Sequence, residues 1–173
     1  DKGTYYFAMN KWSFSGLRTE EELKVRLIDK QTEKLFDLDA AWDVISILRL
    51  HGKSWLQNKK ENMETVKSMI EKCIVELDSD FERAKNNRDI ENEDRIQFQI
   101  DSAENSNKRK LKSLNQAIES LKSKDVNHSM IRPTEGRIEK QSQRHKLKLD
   151  SLRAQKELIA SSDEVCVGIF QVI

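Results

Sequence analysis

Basic side chains are the residues of this sequence whose types and spacing best fit a chemical role. A dense group lies at residues 108–112, and further cations recur along the segment that follows the only proline. Stripes of Lys and Arg can neutralise the phosphates of nucleic acids without reading their sequence. We therefore take the following as candidate nucleic-acid-binding residues: Lys108, Arg109, Lys110, Lys112, Arg137, Lys140, Arg144 and Lys148.

The acidic residues offer an alternative explanation for these cations. Residues 52–104 contain 9 Lys and Arg against 13 Asp and Glu, whereas residues 105–160 contain 14 against 6. In an antiparallel hairpin that turns near Asn87, Lys108 would lie near Glu64 and Glu71 and could form interhelical ion pairs. Because the acidic excess is smaller than the basic one, such pairing leaves part of the positive charge for another partner.

The tetrapeptide HGKS at residues 51–54 resembles the end of a phosphate-binding loop, whose pattern is G-x-x-x-x-G-K-[ST]. The first glycine of that pattern would fall at position 47, which is Ile47. A true loop also follows a strand and opens a helix, whereas this segment follows a predicted helix. We therefore interpret Gly52 as the end of a helix and predict no nucleotide site here.

Other catalytic and metal-binding chemistry has no basis in the sequence. The histidines, His51, His128 and His145, lie far apart, and neither Cys73 nor Cys166 has a second Cys or a His at ligand spacing. No nucleophile elbow or Cys/His signature is present. We expect this chain to carry no enzyme activity, no cofactor and no metal.

The cysteines and the lack of long apolar runs indicate a compartment. Cys73 and Cys166 stand at apolar positions, which is typical of buried free thiols in a reducing environment. No signal peptide is visible, nor is any apolar run of about 20 residues, the length that a membrane span needs. The expected location is the cytoplasm, with no membrane partner.

The elements that would position these side chains begin with two strands. Residues 4–14 are rich in aromatic and β-prone residues, and residues 22–28 alternate apolar with charged side chains. A helix follows, with Asp37 or Asp39 as N-cap and Gly52 at its C-terminal end. We expect this helix to cover one face of the sheet. Its predicted apolar face contains Trp42, Ile45 and Leu48.

The last residues, EVCVGIFQVI (164–173), have the composition of a strand buried on both faces. Such a strand needs neighbours in a sheet, so we expect it to return to the first two strands and pair with one of them. The predicted domains are therefore a small β-rich base, residues 1–53 with 162–173, and a helical arm, residues 54–161.

An apolar stripe with three-four spacing, typical of a coiled coil, runs through the arm. It lapses at residues 85–94, around two adjacent asparagines, and a proline with a nearby glycine marks a second break. We favour an antiparallel arm of three helices, at residues 54–86, 89–123 and 134–160.

Three antiparallel helices would leave the tail strand at the opposite end from the strands that it should join. One alternative is a single long helix through the asparagine pair that folds back at the proline-glycine break. Another is a tail that pairs elsewhere. The predicted fold class is α+β and mostly helical. It has a small antiparallel β base with a short helix, a long antiparallel coiled-coil or helical-bundle arm, and a C-terminal strand.

Two segments flank the charged coiled coil: LRTEEELKVRLIDKQTEKLFDLD before it and RIEKQSQRHKLKLDSLRAQKELIASSDEVCVGIFQVI at its end. In this order they resemble an accessory region of bacterial Swi/Snf-type helicase-like ATPases, the broad group that includes RapA-like proteins. The resemblance implies a non-catalytic module attached to a double-stranded DNA translocase. Its implied partners are double-stranded DNA, through backbone contacts, and the remainder of its own full-length chain.

A second hypothesis is a purely structural protein, in which the coiled coil forms a homo-oligomer or a clamp without any nucleic-acid role. Salt-dependent binding to duplex DNA would separate the two hypotheses. The oligomeric state stays open, although breaks in the stripe at residues 85–94 and 125–136 favour a chain that folds on itself.

Overall fold

The computed structural model describes residues 2–53, 62–123 and 131–172. Two strands come first, then three helices, then a final strand. The elements are β1 (Gly3–Ser15), β2 (Thr19–Asp29), α1 (Leu38–His51), α2 (Met63–Ser123), α3 (Ile131–Ala154) and β3 (Ile159–Val172). The predicted fold class is confirmed: a small antiparallel sheet, a short helix, a long helical region and a C-terminal strand.

β1 is the central strand of the sheet, because both other strands pair with it. The order is β2-β1-β3 and both pairings are antiparallel, with Tyr5 opposite Asp29 of β2 and Phe170 of β3. The return of the tail to the first strands is therefore confirmed. Its predicted burial on both faces is wrong, since Val165 and Val167 of this edge strand are 51% and 40% exposed.

α1 covers one face of the sheet, as expected, and its ends match the sequence signals. Its N-cap is Asp37, whose Oδ1 accepts from the Ala40 amide at 2.8 Å. At Gly52 a Cβ atom would lie 2.3 Å from the Leu48 carbonyl oxygen, so only glycine fits at this close approach. The buried cluster between helix and sheet contains Tyr5, Val25, Leu27, Ala41 and Phe170.

The buried face of α1 differs in one position from the prediction. Ile45 and Leu48 pack against the buried cluster, together with Val44. Trp42 is 42% exposed, so its predicted place on this face is wrong. The smaller Ala41 lies there instead, because a fully buried position close to the sheet has little room for an indole.

The first part of α2 covers the other face of the sheet. Its apolar stripe, which the spacing assigns to a coiled coil, packs here against strand residues. Cys73 Sγ lies 3.9 Å from the carbonyl oxygen of Tyr6, and the ring of Phe81 stacks on Phe14 with centroids 5.7 Å apart. Cys73 and Leu77 are fully buried, so the stripe predicted their burial correctly. It did not predict that the sheet, rather than another helix, covers them.

A buried ion pair joins α2 to β2. Arg26 Nε donates to Asp80 Oδ2 at 2.7 Å, and Arg26 Nη1 donates to the carbonyl oxygen of Phe36 at 2.6 Å. Asp80 also accepts from Arg83, whose side chain is largely exposed. Because the side chain of Arg26 is largely withdrawn from solvent, its charge depends on the carboxylate of Asp80.

α2 continues without interruption through Asn86 and Asn87, so the prediction of separate helices 54–86 and 89–123 is wrong. The alternative of one long helix through the asparagine pair is confirmed. Asparagine lowers helix stability by less than about 1 kcal/mol relative to alanine, and no Gly or Pro stands nearby to end the helix. Residues 54–61, at the start of the first predicted helix, lie outside the described residues.

α3 is shorter than the predicted helix 134–160. It begins at Ile131, with Pro133 in the first turn, where a missing amide hydrogen has no intrahelical acceptor to lose. It ends at Ala154, and Ile159, which the spacing places on the helical stripe, is the first residue of β3. The predicted break before this helix falls partly on residues 124–130, which lie outside the described residues.

The chain forms two compact units, and the boundary between them falls within α2. The sheet unit consists of Asp1–Asn87 and Ile159–Ile173, and the helical unit consists of Arg88–Leu158. The division of the chain into a β-rich base, residues 1–53 with 162–173, and a helical arm, residues 54–161, stays a prediction.

The two cysteines should differ in reactivity. Cys73 is fully buried, and burial raises the pKa of its thiol from 9.0 to about 11, whereas Cys166 is exposed, contrary to its predicted burial. In the native protein we expect a thiol reagent such as DTNB to modify Cys166 alone, with Cys73 reacting only after unfolding.

The pH dependence of stability follows from the same burial. Because the folded state holds the Cys73 proton more tightly, the free energy of unfolding should fall as the pH rises from 9.0 to about 11.

In the experiment with the thiol reagent, rapid modification of both Cys73 and Cys166 in the native protein would contradict the burial of Cys73.

Candidate nucleic-acid interface

The helical unit contains an antiparallel pair formed by the second part of α2 and by α3. Apolar residues at three-four spacing form its buried seam, as the sequence predicts for this part of the stripe. The buried residues are Ile96, Ile100, Ala103 and Ile118 of α2, and Leu149 and Leu152 of α3.

Two polar links set the register of this pair. Asn92, which is buried, donates its Nδ2 to the carbonyl oxygens of Gln155 and Lys156 at 3.0 and 3.1 Å. Further along, Gln141 Nε2 donates to Asn107 Oδ1 at 3.0 Å. Asn92 and Asn107 are 15 residues apart on α2, and Gln141 of α3 is 14 residues from Gln155, which directly follows α3, so both links fit one antiparallel register. The polar interruption of the stripe at Asn107 therefore helps to align the two helices.

This register brings four cations together in a cleft of about 400 Å³, which we call the cationic cleft. Lys110 comes from α2, and Arg137, Lys140 and Arg144 come from α3. The residues of α3 stand at i, i+3 and i+7, a spacing that places them on one face of a helix. The rest of the lining consists of Ser113, Leu114 and Gln141.

The cationic cleft carries uncompensated positive charge. Its lining contains no carboxylate, and within residues 2–53, 62–123 and 131–172 none of its four cations forms an ion pair. The pairing of Lys108 with Glu64 and Glu71 across a hairpin is excluded, because one continuous helix carries all three residues. The helical unit as a whole contains 16 Lys and Arg against 12 Asp and Glu. The cleft therefore suits an anionic ligand.

The remaining candidate cations lie elsewhere. Lys108 and Lys112 line a second groove together with two glutamates and His145, so the charges of that groove alternate in sign. Arg109 and Lys148 are exposed and line neither groove. The structure thus brings half of the sequence candidates into the cationic cleft and separates the other half from it.

Two polar residues of the cleft were missed by the sequence prediction. Gln141 stands four residues after Arg137 and three before Arg144, so it lies on the same face of the helix. Helical spacing was therefore a signal that could have found it. Ser113 has no such signal, because its place in the cleft depends on how α2 packs against α3.

In the parts of the chain that the structure describes, no group of three or more His, Cys, Asp or Glu could hold a metal ion. Gly52 ends α1, as the sequence predicts, while Ser54 and His128 lie outside the described residues. Among the described helices, none combines the length and the apolar character required to cross a membrane.

Comparison of the chain with models of protein families, with curated proteins and with solved structures gives no significant match. The resemblance to helicase-like ATPases therefore remains a proposal.

Proposed function

We propose that this chain is a non-catalytic accessory module of a DNA-acting, helicase-like ATPase, and that its helical unit holds duplex DNA by the phosphate backbone. The observation that supports this best is the cationic cleft, where four cations converge without a carboxylate. Cations gathered in this way repel one another, so an anionic partner stabilises the arrangement. The module acts in the cytoplasm, and the remainder of its own full-length chain is its other partner.

The spacing of the cations suits a chain of phosphates. Arg137 and Arg144 lie about two helical turns apart, which corresponds to about 10 Å along the axis. Each strand of duplex DNA carries one phosphate per about 3.4 Å of axis, so cations spread over this length can contact more than one phosphate of the winding strand. Guanidinium groups are also suited to bidentate hydrogen bonding with phosphate oxygens.

The composition of the cleft favours contact with the backbone over reading of bases. Proteins that bind single strands stack the bases on aromatic side chains, and the lining of the cleft contains no aromatic residue. Lys and Arg that contact phosphates position a duplex without carrying sequence information. We therefore expect an affinity that depends strongly on salt and little on sequence.

The coiled-coil scaffold is the less well supported hypothesis. Its apolar stripe is already buried within the chain, at Leu77 in the sheet unit and at Ile96 and Leu152 in the helical unit. A coiled-coil dimer would need such residues at its own interface. The burial of the stripe therefore favours the DNA-binding hypothesis over an oligomer formed by these helices.

Anisotropy titrations of the intact chain with two labelled DNA duplexes of unrelated sequence test the proposal. At low salt we expect binding to both, with dissociation constants within about threefold of each other, and release as salt is added. Failure to bind either duplex at low salt would contradict the proposal, and so would binding to only one of them.

A further inference from the structure

The two edges of the sheet differ in their protection against pairing with another strand. On β2, five of the residues from Glu20 to Arg26 are charged, which discourages the approach of a further strand. On β3, the stretch from Val165 to Val172 contains no charged residue and no proline. Within the described residues, no strand pairs with the outer side of β3. The β3 edge is thus the unprotected one.

Much of the β3 edge is exposed, and its residues 166–172 are also regular. Val165, Val167 and Val172 are all exposed, although each is apolar. The irregularity in the pairing with β1 lies opposite Met9–Asn10, so residues 166–172 keep a continuous register with β1. Bulges and charges are the usual devices that keep edge strands apart, and residues 166–172 have neither.

We propose that β3 pairs with β3 of a second copy of the chain, which gives a two-fold symmetric dimer with one continuous sheet. The two-fold axis makes this pairing antiparallel and joins the same edge of each copy. With the axis at Gly168, Val167 lies opposite Ile169 of the partner subunit. The two β3 strands form hydrogen bonds between backbone groups that otherwise face solvent. Each strand also partly covers the exposed valine side chains of the other.

The charges of β3 favour a second copy in this orientation. Asp163 and Glu164 stand near one end of the strand, which has no basic residue. Antiparallel pairing about Gly168 separates the two acidic ends and places each of them towards the uncharged end of the other strand, so no like charges face each other. Pairing of β3 with the charged β2 edge of another copy would leave free edges and an assembly that does not close.

Sedimentation velocity of the intact chain over a range of concentrations tests the proposal. The wild type is expected to show a monomer–dimer equilibrium. Val167→Lys places a cation on the β3 edge of both copies, where the two strands would pair. It is expected to raise the dissociation constant of the dimer by at least about tenfold. The matched control is Val75→Lys, the same change at a valine of α2 that is 60% exposed, and it should leave the dissociation constant unchanged.

A monomer at every concentration would overturn the proposal, and so would equal effects of Val167→Lys and Val75→Lys. If circular dichroism shows that Val167→Lys does not fold, Cys166→Lys makes the same test at another exposed position of the regular stretch. A dimer that survives the edge substitution also overturns the proposal. Duplex binding per chain should persist in the edge variant, because the cationic cleft belongs to the helical unit, so the two proposals can fail separately.

Discussion

Replacing Asp80 with alanine is expected to lower the free energy of unfolding of the sheet unit by about 3 to 5 kcal/mol, because it leaves a buried guanidinium without its carboxylate. The side chains of Arg26 and Asp80 are only 13% and 8% exposed, so water can replace the lost partner only in part. Urea denaturation followed by tryptophan fluorescence measures the loss. The signal reports on the sheet unit, since all three tryptophans precede Arg88.

Asp78→Ala is the matched control for this substitution. It removes the same side chain from an exposed position of α2, and the expected change is within about 0.5 kcal/mol. The double variant Arg26→Met with Asp80→Leu should be more stable than Asp80→Ala, because neither charge remains buried. If Asp80→Ala costs no more than Asp78→Ala, the ion pair is not what holds α2 against β2.

Reversing two charges in the cationic cleft is expected to weaken duplex binding by about 10- to 100-fold at low salt. The variant Lys140→Glu with Arg144→Glu replaces two of the four cations with carboxylates, which repel phosphates. Anisotropy titrations with the same duplex measure the dissociation constants of the variant and the wild type.

The double variant Lys146→Glu with Arg153→Glu has the same change of charge and the same residue types. Helical geometry places both positions on the opposite side of α3 from Arg137, Lys140 and Arg144. We expect this control to bind within about threefold of the wild type, since it changes only the net charge. Equal losses in the two double variants would mean that net charge holds the DNA and the cleft does not.

Local periodicity was enough to predict which segments are strand and which are helix, but not where the helices break or which surfaces cover them. The apolar composition of the tail predicts a strand, yet Val167 is exposed, because the burial of a strand's side chains depends on what packs on each face of the sheet. The stripe through Cys73 and Leu77 predicts burial, but a helix on a sheet and a helix in a coiled coil share that spacing. The asparagine pair misled the prediction because asparagine weakens a helix without ending it.

The cationic cleft was predictable only in part. Arg137, Lys140 and Arg144 share one helical face, which their spacing alone reveals. The residue of α2 that joins them is Lys110, and Lys108 lines the other groove. That difference depends on the register of α2 against α3, which long-range hydrogen bonds set and no local pattern contains.

The salt dependence of duplex binding tests backbone recognition by the cationic cleft most directly. For the wild type, the logarithm of the association constant should fall with the logarithm of the salt concentration with a slope of about −3.6, the value for about four neutralised phosphates. In Lys140→Glu with Arg144→Glu the slope should become shallower by about 2. A wild-type slope near zero, or the same slope in both proteins, would contradict binding of phosphates by the cleft.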